Sequence, residues 1–293
     1  SMPPPFALLS PRQRVSLRGP DRVRFLNGQM TNDCRRTPNG SQIPSCILSA
    51  KGKLQFVIHV SVTPDALICD APVNPDGPTL LERLDRYLIA DQLELTDDSE
   101  NWALLHFPNA TPESLPPQPN AETFPSKRLG SNGTDLWIPS ATVPEWLNHP
   151  ERLNPEAITL RRILAGIPEW GPELDEDTLP AEAGLDRTHI DFHKGCYIGQ
   201  EVVSRIKSVG RVNRCLVRIT SDHPLPPKTP LVSAGRECGQ ITTSANSNGK
   251  YLALAFIHRT ADRENIACAE HPVLVQSLLD GSGTDFHTIS TTF

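Results

Sequence analysis

Between Leu54 and Ser61 the chain alternates, with Leu54, Phe56, Ile58 and Val60 set against Gln55, Val57, His59 and Ser61. A period of two puts these sets on opposite faces of a strand, so the segment predicts a sheet with one apolar face to cover. Thr63-Pro64-Asp65 then turns the chain into Ala66-Leu67-Ile68-Cys69, which predicts a hairpin. Leu80, Leu81, Leu84, Tyr87 and Leu88 recur at helical spacing and predict an amphipathic helix over one face of that sheet.

Further strands are expected at Arg14–Arg18, Leu93–Thr96, Trp102–Phe107 and Thr134–Ile138. A short helix capped by Asp21 is expected to carry Val23, Leu26 and Met30 on one face. Pro108 to Lys127 holds six prolines and few apolar residues, the pattern of an extended loop. Asn154 as N-cap and Pro155 at the first helical position open a helix with Ala157, Leu160, Ile163 and Leu164 inward and Gly166 at its end. Arg161 and Arg162 are expected on its solvated face. From Arg211 onward, short alternating runs such as Cys215-Val217-Ile219 and Leu252-Leu254-Phe256 suit a small antiparallel barrel.

At 293 residues the chain exceeds one typical core, so two or three domains are expected. The net charge of −6 argues against a general basic field for nucleic acid. No stretch approaches the roughly 20 apolar residues of a membrane span, and no signal peptide is visible, so the chain reads as soluble and cytoplasmic. Ser1 before Met2 reads as the remnant of a cleaved expression tag. Seven cysteines without a Cys-x-x-Cys pair write neither a disulfide framework nor a zinc ribbon, and no self-contained iron–sulfur cluster. His189 and His193 are four apart, but Ile190 and Phe192 between them look strand-like and no third ligand follows, so no metal site is expected.

The densest chemistry lies in His193-Lys194-Gly195-Cys196-Tyr197-Ile198-Gly199-Gln200-Glu201. Glycines on either side of Cys196-Tyr197 predict a sharp turn or a close approach to a ligand. A helix starting near Ile198, with Lys194 beside the thiol, would favour the thiolate, which makes Cys196 the candidate reactive group. The alternative is a buried apolar cysteine.

This segment resembles the K-G-C-[YF]-x-G-Q-E signature of the YgfZ-type folate-binding family, relatives of the glycine cleavage T-protein that assist iron–sulfur enzymes. Phe25-Leu26-Asn27-Gly28-Gln29-Met30-Thr31-Asn32-Asp33 and Lys51-Gly52-Lys53 resemble further motifs of that family, and Pro180–Leu185 a segment shared with the T-protein. The resemblance implies a three-domain α+β aminomethyltransferase-like fold around a central folate channel. Its parts would be a first domain of residues 2–46 plus 120–205, a second of 47–119, and a C-terminal β-barrel of 206–293.

It further implies tetrahydrofolate as ligand, and Asp135, at the matching place in Gly130–Leu136, as the acid that holds the pterin. Asn27 and Gln29 would line the cavity, and Arg205 or Arg211 would meet the glutamate tail. Lys194 and Tyr197 either contact the ligand or hold the turn. Aminomethyltransferases carry a transfer acid where this chain has Gln55 and Phe56, and Gln cannot act as a base. The expected function is therefore a tetrahydrofolate-binding accessory factor for iron–sulfur enzymes, partnered by folate and by client or assembly proteins. Cys196 would be its working thiol, displayed at the mouth of a pterin-sized hollow. A folate-dependent aminomethyltransferase is the alternative.

Overall fold

A computed structural model describes residues 2–278, arranged as two compact units. One contains the chain up to Pro155 together with Leu174–Val212; the other contains Glu156–Glu173 and the chain from Asn213 onward. In chain order the first elements are β1 (Ala7–Leu8), β2 (Arg12–Arg18), α1 (Arg22–Asn27), β3 (Gln42–Leu48), β4 (Leu54–Val62) and β5 (Ala66–Pro72). Next come α2 (Leu80–Asp85), β6 (Glu94–Asp97), β7 (Trp102–Pro108), β8 (Glu122–Ser126), β9 (Gly133–Pro139) and α3 (Pro144–Leu147). Two longer helices follow, α4 (Pro155–Ala165) and α5 (Gln200–Ser208). The chain then runs through β10 (Arg214–Ser221), β11 (Pro230–Ser233), β12 (Arg236–Ser247), β13 (Lys250–His258), β14 (Ala267–Cys268), β15 (His271–Pro272) and β16 (Leu274–Ser277).

The first unit holds an antiparallel five-stranded sheet in the order β3-β4-β5-β2-β6 and a four-stranded sheet in the order β1-β7-β9-β8. The expected hairpin is β4–β5, closed where Val62 faces Leu67. One face of the five-stranded sheet packs Val15, Leu17, Ile58, Val60 and Leu67 against Leu26 of α1 and Leu80 and Leu84 of α2. A capping box between Thr79 and Glu82 starts α2. The helix stops at Asp85, short of the expected Leu88, because its last N–H groups tighten onto carbonyls three residues back: Tyr87 to Leu84 and Leu88 to Asp85. Asp21 precedes α1 without capping it, since its carboxylate accepts the backbone N–H of Gln92.

Three other expectations are corrected. The proline-rich stretch contains a strand, β8, whose Phe124 is buried; it is the sheet's edge, where Pro125 can sit without breaking a ladder on both sides. His189 to His193 form irregular chain, not a strand, with Thr31 Oγ1 donating to the His189 carbonyl and Asp191 N to the Thr31 carbonyl. Arg162 is buried, not solvated: it reaches Glu173, the Ile167 carbonyl and the Thr243 hydroxyl, an ion pair that offsets the cost of burying both charges.

The second unit consists of α4 from its second residue and a curled seven-stranded antiparallel sheet in the order β15-β14-β11-β12-β13-β10-β16. Ile219, Leu231, Ile241, Ala253 and Ile257 form its core, as the alternating runs require. Arg218 donates from Nε and Nη2 to the carbonyls of Ile163 and Leu164, closing the C-terminal turn of α4. Among the described residues no helix is long and apolar enough to cross a membrane.

Candidate functional site

The three motifs distant in sequence meet in the first unit. Lys194 turns its ammonium inward and donates to the carbonyls of Asn27 (2.6 Å), Met30 (2.7 Å) and Asn32 (2.7 Å), stitching the signature loop to the segment after α1. Burial brings its pKa down to about 8, and its charge is held over the Tyr197 ring at 5.0 Å. Tyr197 is buried beneath it, and burial pushes its phenol up to about 12. Gly199 takes φ +88° as the N-cap of α5, and a Cβ there would meet the Ser49 carbonyl at 2.7 Å. Gly52 of the Lys-Gly-Lys motif has φ +75° and lies against Val202.

Cys196 is the exposed one of the seven cysteines: Cys34, Cys46, Cys69 and Cys268 are buried, while Cys215 and Cys238 are half-buried. Burial moves the thiols of Cys34 and Cys46 up, to about 11 and about 12. Two sequence expectations change here. The Lys194 ammonium is committed to three carbonyls instead of the thiol, and α5 begins at Gln200, later than expected. Gly195 has open space where a Cβ would go and needs no left-handed backbone, so of the two flanking glycines only Gly199 is required by the turn.

Asn27 and Gln29 are buried and occupied. Asn27 Oδ1 accepts the Cys34 N–H, and Gln29 Oε1 accepts from Arg83 Nη1 at 2.9 Å. Arg83 also donates from Nε to Gln55 Oε1 at 2.6 Å and stacks on Tyr87. Arg205 is exposed and pairs with Glu201 one turn away on α5; Arg211 is exposed. A cleft of about 250 Å³ beside α5 is lined mainly by Leu179, Pro180, Ile190, Phe192, Val203 and Ile206, and Lys207 stacks on Phe192. Neither Cys196 nor Asp135 lines it.

Asp135 lies elsewhere, in the polar layer between the two sheets. The face of the five-stranded sheet opposite its helices carries His59, Ser61 and Asp70, with Gln42 opposite Ser61 at the start of β3. The four-stranded sheet presents His106 and Asp135, directly opposite each other on β7 and β9. Arg128, in the loop between β8 and β9, joins the two sheets: Nε donates to Asp135 Oδ2 (2.8 Å), Nη2 to Asp70 Oδ1 (2.6 Å) and Nη1 to His59 Nδ1 (2.9 Å). Because a guanidinium only donates, His59 accepts at Nδ1 and is neutral there; burial, Arg128 and Arg12 hold its pKa well below the usual value.

Asp70 also accepts Arg12 Nε at 2.7 Å, and Asp135 accepts His106 Nδ1 at 2.8 Å and Gln42 Nε2 at 2.7 Å. Burial pushes the Asp135 carboxyl upward, but Arg128, His106 and Gln42 outweigh it and hold the group well below the ordinary carboxylate range. Gly133 is explained in the same place, since a Cβ would press on the Phe107 carbonyl at 2.6 Å and the His106 ring at 3.1 Å.

Most of the accepting capacity of Asp135 is already taken within the chain. A carboxylate offers about four lone-pair sites, and three are filled by donors of this chain, of which His106 and Arg128 are buried and Gln42 half-buried. The resemblance picked out Asp135 but none of the donors around it. His106 interrupts the apolar run 102–107 and Asp70 follows directly on the apolar run 66–69, so both could have been found; Arg128, just past the proline-rich stretch, gave no such signal.

No family model matches the chain. A Neurospora crassa protein named iron–sulfur cluster assembly factor IBA57 homolog, mitochondrial, is 30% identical over 227 residues, covering 70% of this chain and 51% of that protein. This chain thus spans about half the length of that relative. A Haemophilus influenzae protein is 24% identical over 270 residues, covering 88% of this chain and 91% of its own. Among solved structures, the glycine cleavage system aminomethyltransferase T of Bartonella henselae has the same fold, with a TM-score of 0.76 at 15% identity over 94% of this chain and 85% of that one. With the Lys194–Glu201 signature docked on the Asn27–Asn32 segment, the chain resembles the YgfZ-type family and shares the fold of the glycine cleavage T-protein.

Proposed function

We propose that this chain is an accessory factor in iron–sulfur cluster assembly or repair that works through Cys196. The observation that carries the reading is a solvent-exposed thiol on a loop whose two ends are fixed, by the buried Lys194 ammonium on one side and by the left-handed Gly199 on the other. A thiol displayed in this way reaches a partner without rearrangement of its own fold. Thiolate sulfur is a soft ligand for iron, and one sulfur alone cannot hold a cluster, so the cluster is cargo shared with a partner that supplies the other ligands. The Neurospora relative named as an iron–sulfur cluster assembly factor supports the same role.

Folate enters this reading as the expected ligand of the fold, with no step assigned to it. One-carbon transfer is disfavoured because Gln55, at the position of the expected acid, is neutral and already bonded to Arg83. The test is complementation: cells lacking the chain, supplied with Cys196→Ala, should lose activity of a dependent iron–sulfur enzyme at unchanged protein level. Full activity with that variant would discard the role of the thiol. Turnover of a methylamine donor by the purified protein would favour the transferase reading instead.

A further inference from the structure

We propose that Asp70 and Asp135 form a receptor for a flat, N–H-rich group, and that this chain fills it with its own Arg128, so that no pterin is read by Asp135. The three nitrogens of the guanidinium are all engaged: two carboxylates on two different sheets and one imidazole nitrogen surround it at 2.6–2.9 Å. Both carboxylates are fully buried and the arginine nearly so. The amino edge of a pterin contains the same nitrogen–carbon–nitrogen unit, with adjacent in-plane N–H donors that a carboxylate receives side by side. Arg128 gives Asp135 one such in-plane N–H, from Nε to Oδ2, while His106 occupies Oδ1, so neither oxygen is left open to a pterin edge.

Displacing it would strand a buried cation and leave Asp70 with Arg12 alone, the kind of broken buried pair that proteins tolerate poorly. The layer is also neutral as it stands, with Arg12 and Arg128 against Asp70 and Asp135. An incoming neutral pterin would not preserve that balance. The position where the family resemblance expects a ligand is a structural joint between two sheets in this chain.

Two measurements test this, both independent of the role given to Cys196. In the first, tetrahydrofolate is titrated into the wild type and into Asp135→Asn, with circular dichroism confirming that the variant is folded. Equal affinity within about twofold, or no binding to either protein, is the expected result; a loss of tenfold or more in the folded variant overturns the proposal. In the second, Arg128→Ala is melted with and without millimolar ethylguanidinium. A rise of several degrees, or recovery of folding, seen in this variant but not in the wild type or in Arg128→Ala/Asp135→Asn, is expected. A folded Arg128→Ala that does not respond overturns the proposal, and if the variant stays unfolded throughout, the titration decides.

Discussion

Asp135 and Cys196 sit in opposite surroundings within one unit. The carboxylate is enclosed between two sheets with three donors on it, while the thiol stands in solvent on a loop anchored from below. In the first region both oxygens of each carboxylate, Asp70 and Asp135, face a donor, and what the arrangement supplies is cohesion between sheets. In the second the strong groups, Lys194 and Gly199, face inward and leave one reactive atom outside. A polar residue type is thus weak evidence of a site until its partners are known; the same ammonium that looked like an activator of the thiol is a clamp on three carbonyls.

The contrast is broken most forcefully at Arg128. Its removal leaves two buried carboxylates facing each other across the sheets, and Arg128→Ala should cost about 3–5 kcal/mol, read as a drop in the urea unfolding midpoint. A loss below 1 kcal/mol would mean that the layer opens to water. Lys194→Met keeps the stem but orphans three carbonyls, and a smaller loss of about 2–3 kcal/mol is expected.

The elements that the sequence made legible are those with a plain hydrophobic pattern. β4 and α4 follow from alternation or helical spacing, because burial on one face is what their patterns encode, while β5 and β9, buried on both faces, show as short apolar runs. The polar layer was not legible, because His59, Ser61 and Asp70 occupy the face that a two-sided strand normally gives to solvent, and a second sheet covers it here. β8 was missed for a related reason: its prolines hide a strand that an edge position tolerates. The signature loop was legible as a motif, but its geometry depended on carbonyls more than 160 residues away, which no local pattern carries.

Acid sharpens the comparison next. Burial holds His189 down to about 4, and His59 is held well below its ordinary value, so both stay neutral in the folded chain while the unfolded chain protonates them near 6.5. The unfolded state then binds more protons, and stability, complete above about pH 6.5, falls as the pH drops toward 4. Each histidine contributes a slope of about 1.4 kcal/mol per pH unit in its window. His189→Gln should flatten the curve of unfolding midpoint against pH by that amount for one residue; an unchanged curve would show that His189 protonates freely in the fold. Asp135 adds a separate loss at lower pH, since its depressed carboxyl contributes stability above about 4 that disappears as the pH falls further.

The smallest effect on folding is expected where the largest effect on function is proposed. Cys196 is exposed, and the turn around it is held by Lys194, Tyr197 and Gly199, so nothing in the packing depends on its sulfur. Cys196→Ala should therefore leave the unfolding midpoint within about 0.5 kcal/mol of wild type, as surface substitutions generally do. Measured beside the cellular assay, that near-null result separates the two regions: a variant that is stable and inactive makes the thiol a working group. A Cys196→Ala that unfolds as readily as Lys194→Met would make the sulfur one more part of the joint, and the difference between the enclosed acid and the displayed thiol would vanish.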